Sequence, residues 1–374
     1  MSGIYVHIPF CKQACHYCDF HFSTSLKNKE KLVDALCTEL LLRKDYLNKK
    51  EVSTVYFGGG TPSLLSKNEL EKIIDSLHNY FSITPNAEIT IEANPDDFSL
   101  EKLSELKGLG FNRLSIGIQS FFDEHLKKMN RSHTAGQAID AVKMAQNMGF
   151  KNISVDLIYG LPDLSADKWL QNLKKVFELN IQHLSAYNLT VEKKTALAHL
   201  VKNNEIKLPA EEEVIHQFNT LIEQAKEHGF IHYEISNFCK DGMHSRHNSN
   251  YWKSENYLGI GPSAHSYNGL SREWNISNNT SYVQNIKENH PWYEIEILKE
   301  EDKYNEYIMT RLRTIWGIET SFIKNNFGQD KLQTLLSQSQ PYISSGHIRF
   351  DKETIILTAS GKLLADKIAS DLFI

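Results

Sequence analysis

Long apolar runs are absent from this sequence, and so is any excess of basic charge. No stretch approaches the roughly 20 apolar residues that cross a bilayer. The first residues, Met-Ser-Gly-Ile-Tyr-Val-His, contain neither a basic region nor a long apolar one, which argues against a secretory signal. The 41 Lys and Arg residues stand against 46 Asp and Glu, so the formal net charge is −5. We therefore expect a cytoplasmic protein with no general attraction to nucleic acid.

Cysteine is also scarce, with five residues among 374. An odd number in a chain without an export signal does not favour a disulfide framework. Cys11, Cys15 and Cys18 nevertheless fall within eight residues of one another. Cys37 falls on the apolar side of a predicted helix, and Cys239 lies far from the other four. The cluster of three therefore predicts a metal or redox site.

Short β-branched runs alternate with longer amphipathic segments over the first 190 residues. This alternation is typical of parallel strands joined by right-handed helical crossovers. Six strand–helix units are too few for a complete eight-fold barrel, so an open six-unit barrel and a doubly wound sheet both fit the pattern. Ser66-Lys-Asn-Glu69 has the form of a helix capping box. The predicted strands are Ile4–Ile8, Val52–Phe57, Ile89–Glu92, Leu114–Ile118, Ile153–Ile158 and Leu184–Leu189.

The alternation of predicted strands and helices ends after Pro209. A helix is predicted over Glu211–Glu227, followed by a stretch rich in Asn, His, Tyr and Trp. Beyond Pro291 the pattern predicts helices, a small hairpin and a last helix, which together suggest a compact winged-helix-like domain. Such a domain binds DNA or covers a neighbouring domain, and the lack of a basic stripe favours covering. We expect an α/β fold with a barrel over 1–208, an extension over 209–290 and a C-terminal α+β domain over 291–374.

The three clustered cysteines follow directly on the first predicted strand. They therefore lie in a loop at the carboxyl end of that strand, where parallel α/β folds place their active sites. A cubane iron–sulfur cluster needs four ligands, so three cysteines leave one iron open to a small molecule. A tetrahedral zinc site is the alternative, with His16 or His21 as the fourth ligand. The spacing and the barrel pattern favour the [4Fe–4S] cluster.

Polar residues and glycines follow the later strands in a similar way. Gly58-Gly59-Gly60-Thr61-Pro62 comes after the second strand, where glycines allow the backbone to approach a ligand closely. Two carboxylates, an amide and a guanidinium follow the other strands and suit a ligand that carries ammonium, carboxylate and ribose groups. These residues are Glu92, Gln119, Arg131 and Asp156.

The Cys-x3-Cys-x2-Cys motif after a first strand resembles the radical S-adenosylmethionine (SAM) superfamily. In that superfamily, SAM chelates the open iron, and one electron from the cluster cleaves its sulfonium to give a 5′-deoxyadenosyl radical. Further motifs resemble the oxygen-independent coproporphyrinogen III oxidase family. They are Phe-Gly-Gly-Gly-Thr-Pro-Ser, Ser-Ile-Gly-Ile-Gln-Ser-Phe, Met-Asn-Arg and Val-Asp-Leu-Ile-Tyr-Gly-Leu-Pro.

This resemblance implies a set of SAM-site residues. Thr190 and His265 are of a different residue type from the oxidase pattern, whereas the other members match it. The implied set is Tyr5, Tyr17, Gly59, Gly60, Thr61, Glu92, Gln119, Arg131, Asp156, Thr190 and His265.

Two departures separate the chain from the oxidases themselves. Phe20 occupies the position of a fourth cysteine that the oxidases carry, and only ten residues precede Cys11. Both departures are typical of a sister group in the family, the HemW heme chaperones. His247-Asn-Ser-Asn-Tyr-Trp252 also resembles the His-Asn-x-x-Tyr-Trp signature of that group, which is implicated in heme binding.

The resemblance implies that the chain binds heme as well as SAM and the cluster. Imidazole is a common axial ligand of heme iron, and aromatic rings stack on a macrocycle, so His247, Tyr251 and Trp252 are the expected heme-binding residues. His244 is a rival ligand. The implied partners are apo-hemoproteins, including those of the respiratory chain, with peripheral membrane contact and a monomeric or dimeric state. The alternatives are a coproporphyrinogen oxidase and another radical SAM enzyme, such as a methyltransferase.

Overall fold

The structure, a computed structural model, describes residues 2–48 and 50–374. Six parallel strands form its centre, and each is followed by helical structure, as the sequence pattern predicts. All six predicted strands are present, with ends that differ by a few residues. The strands are β1 (Ser2–Ile8), β2 (Val52–Gly59), β3 (Ile83–Ala93), β4 (Arg113–Gln119), β5 (Ile153–Tyr159) and β6 (His183–Asn188).

The helices pack on the outer face of these strands. Ser66 caps the helix Lys67–Tyr80. Its hydroxyl accepts from the Glu69 amide at 3.4 Å, and the Glu69 carboxylate accepts from the Ser66 amide at 2.7 Å. A cap of this kind contributes about 1 kcal/mol. The helices of this part are α1 (Lys29–Leu42), α2 (Lys67–Tyr80), α3 (Leu100–Gly108), α4 (Asp123–Lys128), α5 (Ala135–Asn147) and α6 (Ala166–Glu178).

The order of the strands distinguishes between the two architectures left open by the sequence. β1 to β6 lie side by side in chain order, with no reversal of direction along the sheet. A doubly wound sheet reverses its strand order at a switch point, so the fold is the open six-unit barrel. Alternate residues of β1 show its two faces: Ile4, Val6 and Ile8 are buried against the helices, whereas Tyr5 and His7 point into the barrel.

An extension completes the sheet at both ends. Helices α7 (Ala196–Lys202) and α8 (Glu211–Glu227) lead into a hairpin of β7 (Ile231–Glu234) and β8 (Asn237–Cys239), and β8 pairs with β6. The chain then returns to the other end, where β9 pairs with β1 in parallel and three antiparallel strands follow. The sequence did not predict these strands. The remaining elements are α9 (Arg246–Trp252), β9 (Asn256–Ile260), β10 (His265–Tyr267), β11 (Ser271–Asn275), α10 (Asn279–Glu288) and β12 (Tyr293–Ile297).

The C-terminal part has its own hydrophobic core, built from Tyr304 to Leu372. Its elements follow one another as helix, strand, two helices and two strands. The last strand, Thr354–Leu357, is central in the small sheet, and this arrangement is that of a winged helix. It docks on the barrel through backbone bonds between residues 313–315 and 233–235. Its elements are α11 (Glu300–Leu312), β13 (Ile318–Glu319), α12 (Thr320–Phe327), α13 (Gln329–Ser344), β14 (Ile348–Asp351), β15 (Thr354–Leu357), α14 (Ala359–Lys362) and α15 (Ala365–Asp371).

The main core extends from β1 to Trp292, so the extension shares it with the barrel. The boundaries at 208/209 and 290/291 remain predictions. Within residues 2–48 and 50–374, no helix is both long enough and apolar enough to cross a membrane.

Candidate functional site: the carboxyl end of the barrel

The three clustered cysteines lie in the loop after β1, and all three are partly buried and free. Backbone bonds hold the base of this loop, because the Cys11 amide donates to the Ser23 carbonyl at 3.0 Å. Burial raises the pKa of both the Cys11 and the Cys18 thiol to about 11. Iron must therefore displace protons from these thiols when a cluster forms.

The two histidines that could complete a zinc site each have a hydrogen-bond partner elsewhere. Nδ1 of His16 lies 2.9 Å from the Lys128 carbonyl, and Nε2 of His21 lies 2.7 Å from Oδ1 of Asn279. In the described part of the chain, no three His, Cys, Asp or Glu side chains converge closely enough for a single ion. A cubane does not need that convergence, because each thiolate binds its own iron. The donor set therefore fits the cluster better than zinc.

The glycine loop after β2 is attached directly to the cysteine loop. The Gly60 amide donates to the Ile8 carbonyl at 2.9 Å, and the Thr61 amide donates to the Phe10 carbonyl at 2.6 Å. A Cβ atom on Gly60 would lie 2.6 Å from the Phe10 carbonyl oxygen. Only glycine allows this approach, so the position of Gly60 depends on its lack of a side chain.

Glu92 and Asp156 lie inside the barrel at the ends of β3 and β5. Glu92 accepts from the Tyr56 hydroxyl at 2.7 Å and from the Gly59 amide at 3.2 Å. Asp156 accepts from the Ser115 hydroxyl at 3.4 Å. Burial raises the pKa of Glu92 to about 7 and that of Asp156 to about 6. Their predicted role as acceptors for the ribose hydroxyls of a ligand remains a prediction.

Arg131 joins the end of β4 to the cysteine loop. Its guanidinium donates to Oδ1 of Asn94 at 2.5 Å, to the Gly117 carbonyl at 2.7 Å and to Sγ of Cys15 at 3.4 Å. Its Nε is buried and has no hydrogen-bond partner. That N–H is the part of the side chain available to a carboxylate.

Three further predicted residues surround the same space. Tyr5 stacks on Tyr56 at 6.0 Å between ring centroids, and its hydroxyl lies 3.1 Å from Nδ1 of His7. Tyr17 is near Cys15 and Arg131, and burial raises its pKa. Gln119 ends β4 with a φ of 67°, in the left-handed region that non-glycine residues seldom adopt.

The last two predicted SAM-site residues lie further out. Thr190 is exposed just beyond β6. His265 begins β10, and its ring faces Trp274 at 6.3 Å between centroids. β10 is two strands away from β1 in the sheet, whereas the other members lie on β1 to β5 or the loops that follow them. The roles of Thr190 and His265 remain predictions.

Asn94 is a site residue that the sequence reasoning missed. It follows β3 directly, accepts from Arg131, and donates to Oγ1 of Thr61 at 3.3 Å. It thus links two predicted SAM-site residues. Its place just past a strand end, two residues after Glu92, is the signal that could have identified it.

His247, the predicted heme ligand, is buried in this structure. Its side chain is 2% exposed, at the end of the barrel opposite the cysteine loop. Nδ1 lies 2.9 Å from Oγ1 of Thr54, and Nε2 lies 2.8 Å from the Tyr251 hydroxyl. Burial lowers its pKa to about 3, so the ring is neutral. Both ring nitrogens are thus engaged inside the protein in this conformation, and the role of His247 in heme binding remains a prediction.

The neighbours of His247 are more accessible. Trp252 is partly exposed, with the guanidinium of Arg313 5.8 Å from its ring centroid. His244 is also partly exposed as a residue; its Nε2 is itself buried and has no hydrogen-bond partner, and its ring packs against Tyr233 at 4.7 Å between centroids. These residues lie where the extension meets the C-terminal domain.

Comparison with known proteins agrees with the fold. Residues 5–185 match the model of the radical SAM superfamily, and residues 298–364 match the HemN C-terminal domain. The solved coproporphyrinogen III oxidase HemN from Escherichia coli, described as a radical SAM enzyme, superposes with a TM-score of 0.86. It is 26% identical, and the match covers 100% of this chain and 90% of that one.

Curated relatives are more similar still. The heme chaperone HemW of Bacillus subtilis is 33% identical, with 98% of both chains covered. The heme chaperone HemW of Escherichia coli is 38% identical over 70% of this chain and 69% of its own length. The fold and the site thus define a radical SAM protein with a HemN-type C-terminal domain. Within that class, the chain belongs to the HemW family of heme chaperones.

Proposed function

We propose that this protein binds heme and delivers it to apo-hemoproteins, with a [4Fe–4S] cluster on Cys11, Cys15 and Cys18 and with SAM beside it. The observation that carries the proposal is the relationship with a heme chaperone over 98% of both chains. Phe20 supports it, because an exposed phenylalanine occupies the position of the oxidases' fourth cysteine. The cytoplasmic location, the acceptor, membrane contact and the oligomeric state remain predictions.

For heme we propose the junction between α9 and the C-terminal domain. Heme offers a flat aromatic face, an iron and two carboxylates. The junction presents Trp252 and Trp316, the His244 imidazole and two cations. Arg313 pairs with the exposed Asp366, and the ammonium of Lys253 lies 4.4 Å from the Trp316 ring centroid. Aromatic faces, an imidazole and cations match these three parts of heme. We therefore propose His244, rather than His247, as the axial ligand.

The test is an anaerobic titration of the reconstituted protein with heme, followed by transfer to a purified apo-cytochrome of the b type. We expect stoichiometric binding with a defined Soret band. Transfer should be faster from the protein than from the same concentration of heme bound to serum albumin. A protein that binds no heme would refute the proposal.

Oxidation of coproporphyrinogen III is the second candidate, favoured by the structural similarity to HemN. Phe20 counts against it. We expect no vinyl products when the pure protein is incubated with coproporphyrinogen III, SAM and a reductant. Product formation at the rate of a parallel HemN reaction would establish the oxidase function instead.

A further inference from the structure

One edge of the twelve-stranded sheet is open. β12 is the outermost strand at that end and pairs with β11 on its inner side only, as far as the described residues show. All five of its residues are exposed. The edge at the other end is covered, because the Ile315 amide donates to the Tyr233 carbonyl of β7 at 3.0 Å. The fold therefore protects one edge and leaves the other available.

The hydrogen bonds of β12 define which backbone groups are free. The Ile276 amide donates to the Trp292 carbonyl at 2.9 Å, and the Leu298 amide donates to the Leu270 carbonyl at 3.0 Å. Bonding in an antiparallel pair alternates from one residue to the next. Even-numbered residues of β12 therefore bond to β11, and the odd-numbered ones direct their N–H and C=O groups outward. The outward residues are Tyr293, Ile295 and Ile297.

The side chains of β12 also alternate. One face carries Tyr293, Ile295 and Ile297, and the two isoleucines are 56% and 69% exposed. The other face carries Glu294 and Glu296, and no ion pair involves either of them within 2–48 and 50–374. Natural edge strands are usually protected by lysine, proline or a bulge, but β12 contains neither residue and pairs with β11 in regular register.

The charges decide what kind of strand fits this edge. Arg272 lies opposite Glu296 on β11, but it already pairs with Glu306. If two copies of β12 paired antiparallel about Ile295, Glu294 of each copy would face Glu296 of the other. Like charges directly opposite each other are destabilising, so a second copy is disfavoured. A strand with cations opposite the glutamates is favoured.

We propose that β12 accepts, by strand addition, an extended segment of another protein in which apolar residues alternate with Lys or Arg. The outward backbone groups hold the segment, the apolar residues cover the isoleucines, and the cations face the glutamates. This inference does not depend on heme binding.

The first test is a binding titration that is monitored by fluorescence anisotropy. The probe is a labelled nine-residue peptide of alternating Lys and Val, and the protein is cluster-loaded. We expect binding at least tenfold tighter than for the matched peptide of alternating Glu and Val. The double variant Glu294→Lys/Glu296→Lys should reverse this preference. An unchanged affinity of the Lys peptide for this variant would overturn the proposal.

The second test separates strand addition from simple charge attraction. Two versions of the Lys peptide carry N-methyl groups, on the valines or on the lysines. In an antiparallel pair the valines opposite Ile295 donate to β12, whereas the lysine amides point away. Methylation of the valines should weaken binding at least tenfold more than methylation of the lysines. Equal affinities would overturn the proposal.

Matched variants locate the surface. Ile295→Lys should weaken binding of the Lys peptide at least tenfold. Phe350→Lys, on the exposed edge strand β14 of the C-terminal sheet, should leave it unchanged. A wild-type dimer in sedimentation that Ile295→Lys dissociates would show instead that the edge joins two copies, which would also overturn the proposal.

Discussion

The hydroxyl of Tyr251 lies 2.8 Å from Nε2 of His247, one helical turn earlier on α9. Together with the bond to Thr54, this contact engages both nitrogens of a buried imidazole at the end of the barrel opposite the cysteines. His247→Ala should lower the free energy of unfolding by about 1–3 kcal/mol, because buried partners are left unsatisfied. Denaturant unfolding measures this change.

The same variant separates the two candidate heme ligands. His247→Ala should keep the Soret band of the heme-loaded protein, whereas His244→Ala should shift it and weaken heme binding. An altered Soret band in His247→Ala at unchanged stability would restore His247 as the ligand.

The cysteine loop should hold the cluster through its three thiols alone. Cys11→Ala, Cys15→Ala and Cys18→Ala should each abolish the cluster, because a cubane with one open iron needs all three. The wild-type protein should contain about four irons per chain after anaerobic reconstitution. Cys37→Ala and Cys239→Ala are the matched controls and should retain the iron. Stoichiometric zinc in place of iron would contradict this assignment.

Gly60 should tolerate no side chain, because a Cβ there meets the Phe10 carbonyl oxygen at 2.6 Å. Gly60→Ala should therefore push the glycine loop away from the cysteine loop, weaken SAM binding at least tenfold and reduce iron content. Gly108→Ala is the control, since nothing lies within 4 Å of a Cβ at that position. Calorimetry with SAM and iron analysis provide the two measurements.

Arg131 should be needed for SAM binding. Arg131→Ala removes the unpartnered Nε as well as the bonds to Asn94 and Gly117, so SAM affinity should fall by about 1.5–3 kcal/mol. The effect of SAM on the electron paramagnetic resonance spectrum of the reduced cluster measures binding. The exposed Arg349→Ala should behave as wild type. A normal spectral response to SAM in Arg131→Ala would contradict the prediction.

The contribution of Glu92 and Asp156 to the stability of the SAM-free protein should fall as pH rises from about 4 to 7, whereas buried histidines with lowered pKa values, such as His247, contribute in the opposite direction. Burial raises the pKa of Glu92 to about 7 and that of Asp156 to about 6, so the folded state keeps protons that the unfolded state has lost. The stabilising contribution is complete below the unfolded pKa values and is lost as pH passes the folded ones. A tenfold difference in proton affinity between the folded and unfolded states corresponds to about 1.4 kcal/mol.

Glu92→Gln should remove the Glu92 part of this contribution, because the amide does not titrate, so the stability at pH 8 relative to pH 5 should be higher than in the wild type. Unfolding curves of the SAM-free protein at pH 5 and pH 8 give the two free energies. Exposed Glu101→Gln should keep the wild-type difference between them. A Glu92→Gln variant with the full wild-type difference would show that Glu92 does not titrate in this range.

The sequence predicted the parts of the fold that depend on neighbouring residues. The six barrel strands and the cap at Ser66 follow from local periodicity and local hydrogen bonding. Local patterns do not show at which edge of the sheet β9 to β12 are added, because β9 pairs with β1 from more than 250 residues away in the sequence. The burial of His247 likewise depends on residues that are distant in the sequence, because its hydrogen-bond partner Thr54 lies 193 residues away. A motif of polar and aromatic residues looks the same whether it lines a surface or closes a barrel.

The pairing of β1 with β9 has a consequence for synthesis on the ribosome. Tyr5 lies opposite Gly259, so the strand that leads into the cysteine loop has only one neighbour until some 250 further residues have been translated. At about 5–20 residues per second, that interval lasts roughly ten to fifty seconds. During that interval, a nascent chain exposes an apolar strand edge next to three free thiols. Chain release before residue 260 would leave that edge permanently open, and such fragments should aggregate.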